Sequence, residues 1–276
     1  MLLSFAKMHG AGNDFMVIDA VTQHVRIKPD RVRRLADRHT GVGFDQLLLI
    51  EPPGQPDRDF AYRIYNPDGS EAEQCGNGLR CIALFLYERK LIHRRTMCLH
   101  TNWGLFDLCL HDDGSSTVDM GAPRLQPADV PFVAESESVT HSMEVEGQPL
   151  SLAVLSMGNP HAVLVTADSR TAQVERQGAI ISGHDRFPQG CNVGFMQVVS
   201  PAEINLRVYE RGAGETQACG SGACAAVVAG RLQGLLAAQV KVNMPGGTLQ
   251  VGWSERDQPV MLTGPACLVY EGKIKI

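Results

Sequence analysis

The segment EQCGNGLRCIALFLY, residues 73–87, sets one cysteine before two glycines and continues into an almost entirely apolar run. A second segment, QACGSGACAAVVAG at residues 217–230, has the same arrangement. Each run is apolar nearly all round, which is typical of a helix enclosed by protein. The two segments therefore predict two buried helices, each beginning at a Cys-Gly-x-Gly motif.

Both motifs lie within a longer internal repeat. IYNPDGSEAEQCGNG (64–78) aligns without a gap on VYERGAGETQACGSG (208–222), and the paired positions are 144 residues apart. Upstream, VGFDQ matches VGFMQ and GNDFMVI matches GNPHAVL more loosely, in the same order in both halves. A period of this length is too long for a solenoid. We interpret the chain as two copies of one domain.

Strand patterns dominate within each half. Short segments such as QLLLIE, HAVLVT and EINLRVY are separated by Gly and Pro and outnumber the helical patterns. We predict an α+β fold of two pseudo-symmetric duplicated domains, each a mixed β-sheet or barrel closed around its central helix. The predicted halves are residues 1–119 and 120–265. Two domains that face each other leave a cleft, and we expect the active site there.

Composition and charge exclude several classes of protein. The net charge is −5, and the basic residues are scattered except in residues 26–40, which predict an amphipathic helix with a solvated basic face. Nucleic acid is therefore not an expected partner. We see neither a secretory leader pattern nor an apolar run long enough to span a bilayer, so we expect a soluble, cytoplasmic protein without membrane contact.

The cysteines indicate neither a disulfide scaffold nor a metal centre. Eight are present, without Cys-x-x-Cys or paired Cys/His spacing. Six of them have no partner in the register of the repeat, and we interpret these as core or surface thiols: Cys81, Cys98, Cys109, Cys191, Cys224 and Cys267. Dinucleotide and phosphate-loop motifs are also missing, as is a lysine in a pyridoxal phosphate context, so we expect no cofactor.

The remaining two cysteines, Cys75 and Cys219, stand at the predicted helix starts. The first N–H groups of a helix have no intrahelical partner, and together with the helix dipole they form an anion site. Glycines there let a carboxylate approach the main chain. A cysteine beside those donors is expected to have its pKa lowered from about 8.5 toward neutrality. One thiol in each duplicated domain supplies a base and an acid for opposite faces of one carbon, which inverts a stereocentre by proton transfer.

Five blocks in order carry a family resemblance that covers the whole chain. They are MHGAGNDF from Met8, NPDGSEAEQCGNGLRC from Asn66, MGNPHAV from Met157, CNVGF from Cys191 and ERGAGETQACGSGAC from Glu210. The sequence resembles the diaminopimelate epimerase family. The resemblance implies interconversion of L,L- and meso-diaminopimelate without a cofactor, in lysine and peptidoglycan precursor biosynthesis. It also implies a homodimer and a last strand, residues 266–276, that completes the first domain.

The resemblance implies a role for each site residue. Cys75 and Cys219 are the paired base and acid. The implied substrate-binding residues are Asn13, Gln46, Asn66, Gly76, Asn77, Asn159, Asn192, Glu210, Arg211, Gly220 and Ser221. Backbone amides of 76, 77, 220 and 221 hold the reacting carboxylate, residues 66 and 210 face the reacting ammonium, and residues 13, 159, 192 and 211 bind the distal end. Residue 46 lines the pocket, and His161 and Glu210 are candidates to assist proton transfer.

Several alternatives remain open at this point. A racemase or epimerase of proline or hydroxyproline would have the same fold, although those substrates have no distal zwitterion for the second polar set. A binding or sensor protein that retained the cleft and a thiol redox protein are the other classes. We also hypothesise that a disulfide between Cys75 and Cys219 is an inactivating side reaction. The sequence does not assign a thiol to a stereoisomer.

Overall fold

The computed structural model describes residues 2–72, 75–102 and 104–275. Within these residues the chain forms eighteen strands, four α-helices and one short 3-10 helix. Met1, Glu73, Gln74, Trp103 and Ile276 lie outside the described residues, so the predicted first domain, the first quoted motif and the last strand are each described in part. Among the helices of the described residues, none is both long and apolar enough to cross a membrane.

The strands and helices of the described residues have the following bounds. The strands are β1 (Leu2–Gly10), β2 (Asn13–Asp19), β3 (Gln46–Glu51), β4 (Phe60–Tyr65), β5 (Glu71–Ala72), β6 (Thr96–Thr101), β7 (Gly104–Leu110), β8 (Ser116–Asp119), β9 (His141–Val145), β10 (Gln148–Ser156), β11 (Pro160–Val165), β12 (Asn192–Ser200), β13 (Glu203–Glu210), β14 (Gly214–Thr216), β15 (Gln239–Met244), β16 (Gly247–Gly252), β17 (Met261–Gly264) and β18 (Cys267–Lys275). The helices are α1 (Pro29–Ala36), α2 (Gly76–Glu88), α3 (Val174–Ser182) and α4 (Gly220–Leu232), and the 3-10 helix is Pro127–Asp129.

The chain divides into two compact units. The first contains the residues up to Asp119 and those from Thr263 onward, and the second is Met120–Leu262. The domains predicted from the sequence, 1–119 with 266–276 and 120–265, stay a prediction.

The first unit is a mixed sheet around α2. β1 pairs antiparallel with β18 and with β2, β2 runs parallel to β3, β3 pairs antiparallel with β4, and β4 runs parallel to β6. β5 pairs with β4, and β7 and β8 continue antiparallel from β6. α2 packs on β1, β2, β3, β7, β8 and β18, and most of its apolar side chains are buried. The all-round apolar pattern therefore reflects a helix with strands on several sides.

The second unit repeats this pairing pattern around α4. β10 pairs antiparallel with β11, β11 runs parallel to β12, β12 pairs antiparallel with β13, and β13 runs parallel to β15. β14 pairs with β13 as β5 does with β4, and β16 pairs with β15 as β7 does with β6. α4 packs on β10, β11, β12, β13 and β16. The predicted α+β fold of two duplicated domains is confirmed.

Tight packing of α3 against β13 yields a stability prediction. A Cβ added at Gly178 would lie 2.5 Å from Tyr209 Cβ. Gly178→Ala is therefore expected to destabilise the protein by about 1–3 kcal/mol through overpacking, although alanine is the better helix former by about 1 kcal/mol. Gly183→Ala is the matched control, because the nearest atom, Ala179 O, would lie 3.4 Å away. Equal urea unfolding midpoints for the two variants would contradict this prediction.

Candidate active site

Cys75 stands at the start of the central helix of the first unit. It is the N-terminal flanking residue of α2, with extended backbone angles (φ −144°, ψ 104°), and its side chain is half-buried. Gly76, Asn77 and Gly78 form the buried first turn. The N–H groups of that turn are the ones a helix leaves without an intrahelical acceptor. The structure therefore places a thiol beside main-chain donors, as the motif predicts.

Two asparagines adjoin this thiol. Cys75 Sγ lies 3.5 Å from Asn13 Oδ1, to which it donates, and Asn77 Nδ2 donates to the same oxygen at 3.3 Å. We call Cys75, Asn13 and Asn77 the Cys75 cluster. Asn13 begins β2, so a predicted site residue that is far from the Cys75 motif in sequence joins it by direct hydrogen bonds.

Gln46 and Asn66 form a second pair in the same unit. Gln46 Nε2 donates to Asn66 Oδ1 at 3.1 Å, and Asn66 Nδ2 donates to Ser70 Oγ at 3.1 Å. Gln46 begins β3, which runs parallel to β2, and Asn66 directly follows β4, which runs antiparallel to β3. The starts of β2 and β3 and the end of β4 lie at one edge of the sheet, and this edge carries the polar residues.

Cys219 has the corresponding position at the start of α4. Its backbone is extended (φ −120°, ψ 110°), Gly222 N donates to its sulfur at 3.3 Å, and Ser221 Oγ lies 3.6 Å from the sulfur. Glu210, the last residue of β13, adjoins the thiol and accepts a hydrogen bond from Thr216 Oγ1. We call Cys219, Ser221 and Glu210 the Cys219 cluster.

The lowered pKa expected for a thiol at a helix start is wrong for Cys219. Burial raises the pKa of Cys219 well above its usual value, and the neighbouring Glu210 carboxylate raises it further. The hydrogen bonds from Ser221 and Gly222 act in the opposite direction but do not outweigh burial. A buried thiolate loses its hydration, and a second negative charge beside it adds repulsion. Cys219 therefore carries its proton at neutral pH in this arrangement.

Four further predicted residues lie at the matching edge of the second unit. Asn192 Oδ1 accepts from Arg211 N at 2.8 Å, and the exposed Arg211 donates through Nη1 to Gln189 O at 2.9 Å. His161 Nε2 lies 2.9 Å from Asn159 Oδ1. Burial, with the charge of Arg211 as a smaller cause, lowers the pKa of His161 to about 3. The imidazole is therefore neutral at physiological pH.

Two charged residues near the Cys75 cluster were missed by the sequence reasoning. Asp45 accepts from Asn13 Nδ2 at 3.0 Å, and the fully buried Arg80 donates to Asn77 Oδ1 at 2.8 Å. Both stand where the matched halves of the repeat differ in charge, since 45 aligns with Met196 and 80 with Cys224. A charged residue in the first half opposite an uncharged one in the second half is the sequence feature that could have identified Asp45 and Arg80.

The other six cysteines are distributed as core and surface thiols. Cys81, Cys191 and Cys224 are buried, Cys98 and Cys109 are half-buried, and Cys267 is exposed. Burial raises the pKa of Cys191 to about 12. Over the described part of the chain, no group of three or more His, Cys, Asp or Glu side chains could hold a metal ion.

This fold is shared with solved proteins of the epimerase class. A hydroxyproline epimerase from Agrobacterium vitis is similar with a TM-score of 0.73, at 16% sequence identity, over 99% of this chain and 92% of that chain. The family model described as diaminopimelate epimerase matches residues 5–126 and 153–269. Diaminopimelate epimerases of Ectopseudomonas mendocina (strain ymp) and Stutzerimonas stutzeri (strain A1501) are 54% and 55% identical over the whole of both chains. The chain belongs to the diaminopimelate epimerase family, and the resemblance seen in its motifs is confirmed.

Proposed function

We propose that the protein interconverts L,L-diaminopimelate and meso-diaminopimelate by moving the α-proton between two thiols, without a cofactor. The observation that carries this proposal is the placement of Cys75 and Cys219 at the starts of the two central helices, in a chain of this family. The reaction requires both thiols to reach one α-carbon from opposite faces.

Protons and electrons balance in this reaction with the thiols of Cys75 and Cys219 alone. A thiolate at one cysteine takes the α-proton, and the electron pair of the broken C–H bond moves into the adjoining carboxylate. The thiol at the other cysteine then delivers its proton to the opposite face, and the two sulfurs have exchanged protonation states. Backbone N–H groups of Gly76, Asn77, Gly220 and Ser221 stabilise the charge on the carboxylate.

The proposed substrate-binding residues have the hydrogen-bonding groups that the two ends of the substrate require. Glu210 with Asn66 binds the reacting ammonium, which neutralises the carboxylate that raises the pKa of Cys219. The distal amino-acid group is bound by Asn13, Asn159, Asn192 and Arg211, with Gln46 lining the pocket. Asparagine amides serve both the ammonium and the carboxylate, and an arginine adds a two-pronged donor for the carboxylate. His161 and Glu210 assist proton transfer, His161 in its neutral form because burial lowers its pKa to about 3.

The proposal also covers the cellular location, the biosynthetic pathway and the partners of the protein. We assign the protein to the cytoplasm, in the synthesis of lysine and of peptidoglycan precursors. Neither nucleic acid nor membrane is a proposed partner.

A homodimer is proposed through the exposed part of β18. Leu268, Val269 and Tyr270 are consecutive apolar residues with exposed fractions of 38%, 56% and 46%. Successive side chains of a strand point to opposite faces, so this part of β18 exposes apolar side chains on both faces, and exposed apolar surface is typical of a protein interface. Sedimentation is expected to show a dimer for the wild type and a monomer for Val269→Lys. The same change at Val199, which is 52% exposed on β12, is the matched control and should leave the dimer intact. A wild-type monomer, or a dimeric Val269→Lys variant, would refute this assignment.

Hydrogen exchange at the α-carbon tests the reaction. Reduced protein in D₂O is incubated with L,L-diaminopimelate, and with proline and lysine in parallel tubes, while proton NMR follows the α-hydrogen signal. Loss of this signal with diaminopimelate alone is expected, because a site that hydrogen-bonds the distal end of the substrate rejects substrates that lack this end. Exchange with proline would favour the proline racemase alternative. No exchange in any tube, with thiols verified as reduced, would favour a binding protein.

A further inference from the structure

Four side chains form a continuous hydrogen-bonded chain in the first unit. Arg80 Nη2 donates to Asn77 Oδ1 at 2.8 Å, and Asn77 Nδ2 donates to Asn13 Oδ1 at 3.3 Å. Asn13 Nδ2 then donates to Asp45 Oδ2 at 3.0 Å. Cys75 Sγ contacts the same Asn13 oxygen at 3.5 Å. These hydrogen bonds thus run from the Arg80 cation to the Asp45 anion and pass beside the Cys75 thiol.

The two charged ends determine which way each amide points. A guanidinium has only donors and a carboxylate only acceptors, whereas an asparagine amide has an acceptor on one side and a donor on the other. Arg80 can therefore meet only the carbonyl oxygen of Asn77, and Asp45 can meet only the NH₂ group of Asn13. Turning either amide over would set donor against donor or acceptor against acceptor, which is unfavourable in a site where Arg80 and Asn77 are buried.

We propose that Arg80 and Asp45 are positioning residues which, through Asn77 and Asn13, keep the Asn13 carbonyl oxygen directed at the Cys75 thiol. An acceptor beside the sulfur favours the protonated thiol, whereas an amide N–H in its place would favour the thiolate. The two charged residues therefore influence proton transfer at Cys75 through the two amides. The catalytic consequence rests on the proposed function, but the orientation of the amides does not.

The two charged ends of this hydrogen-bonded series belong to the first half of the repeat. Asp45 aligns with Met196, and Arg80 aligns with Cys224, so neither charged end recurs in the second half. At Cys219 the sulfur accepts a main-chain N–H, and the acceptor beside the thiol is the Glu210 carboxylate rather than an amide oxygen. The two thiols therefore differ in their hydrogen-bonding surroundings although the helix starts that carry them are alike.

Two titratable neighbours of Cys75 do not mask a change in its titration. Tyr62 on β4 and Cys81 on α2 interact electrostatically with Cys75, whereas Arg80 lies beyond Asn77 and Asp45 beyond Asn13. Burial raises the pKa of Tyr62 and of Cys81, so both stay protonated while Cys75 is titrated. The guanidinium stays positive throughout.

Two substitutions at Asp45 separate its hydrogen bond from its charge. Asp45→Leu removes both, whereas Asp45→Asn removes the charge and retains an acceptor oxygen. The main-chain N–H of Asp14 also donates to Asp45 Oδ2 at 3.0 Å, and this donor holds the oxygen of an asparagine in the same place. Arg38→Met is a further control, because Arg38 donates to Asp45 Oδ1 at 2.8 Å.

The pH dependence of Cys75 alkylation by iodoacetamide, quantified on the Cys75 peptide by mass spectrometry, is the readout. Asp45→Leu is expected to move the midpoint down by about half to one pH unit, because Asn13 loses its carboxylate acceptor and its NH₂ group can turn toward the thiolate, a charge-assisted contact that offsets the hydrogen bond lost from Asn77. Asp45→Asn and Arg38→Met are expected to titrate as the wild type does. An unchanged midpoint in Asp45→Leu, or an equal shift in Asp45→Asn, would overturn the proposal.

Neutron diffraction from wild-type crystals in D₂O tests the orientation even if Asp45→Leu does not fold. Deuterons on the Asn13 atom that faces Asp45 support the proposal, and deuterons on the atom that faces Cys75 overturn it. Neither measurement requires turnover, so a failure of the proposed epimerase reaction, seen as no α-hydrogen exchange, is distinguishable from a failure of this inference.

Discussion

Cys219→Ala is expected to lower kcat/KM for diaminopimelate epimerisation by about 10³-fold or more, within the range that a positioned acid or base contributes. Inversion needs one group that takes the proton and a second that delivers it to the other face, and alanine does neither. Cys75→Ala is expected to have the same effect for the same reason. The measurement is the rate at which the L,L stereoisomer is converted to the meso stereoisomer, followed by chiral chromatography.

Cys267→Ala is the control for this experiment. Cys267 is the exposed thiol on β18, so its removal changes the thiol count without altering a helix start. Its rate should equal that of the wild type, and the unfolding midpoints of all three variants should show that they are folded. If Cys219→Ala or Cys75→Ala turned over at the wild-type rate, the two-thiol mechanism would be wrong.

Glu210→Gln is expected to reduce kcat/KM by about 10²-fold, because a charge-assisted contact with the substrate ammonium becomes a neutral one. The same variant makes a separate prediction about Cys219. Burial is the larger cause of the raised pKa of this thiol, and the Glu210 charge is the second. Removing a negative charge beside a thiol favours the thiolate, so the pKa of Cys219 should fall and its titration should move to lower pH.

The thiolate absorbance of Glu210→Gln, with that of Glu210→Gln/Cys219→Ala subtracted, reports this titration. Glu203→Gln is the matched control, since Glu203 begins the same strand, β13, and pairs with Lys241 and Asn243. It removes the same charge and should change neither kcat/KM nor the titration of Cys219. A Glu210→Gln variant that titrates at higher pH than the wild type would contradict the electrostatic explanation.

Local pattern was sufficient to predict the buried helices and where they begin. The apolar runs after Cys75 and Cys219 became α2 and α4, starting at Gly76 and Gly220, because glycine-rich turns and continuous apolar runs act over a few residues. The repeat then predicted that both units share one architecture, and their strand pairings do match. These features depend on neighbours in the chain and on the order of the blocks.

The same reasoning from local sequence could not predict the pKa of Cys219. The sequence shows a thiol beside helix N–H groups, and that local effect alone lowers a thiol pKa. Burial by surrounding strands acts in the opposite direction and is larger here. The extent of burial depends on residues that lie far from the motif in the sequence.

The amino-acid sequence by itself determined the duplication, the α+β class, the family and the positions of the two thiols, because each is written in contiguous or regularly spaced residues. Tertiary structure alone decided the parallel and antiparallel order of the strands, the burial of Cys219 and the hydrogen-bonded chain from Arg80 to Asp45. These hydrogen bonds join Asn13 to Asp45 and to Asn77, which lie 32 and 64 positions away from it in the sequence. An amide takes its orientation from whatever donor and acceptor the fold brings to its two ends, and folding brings them together from distant parts of the chain.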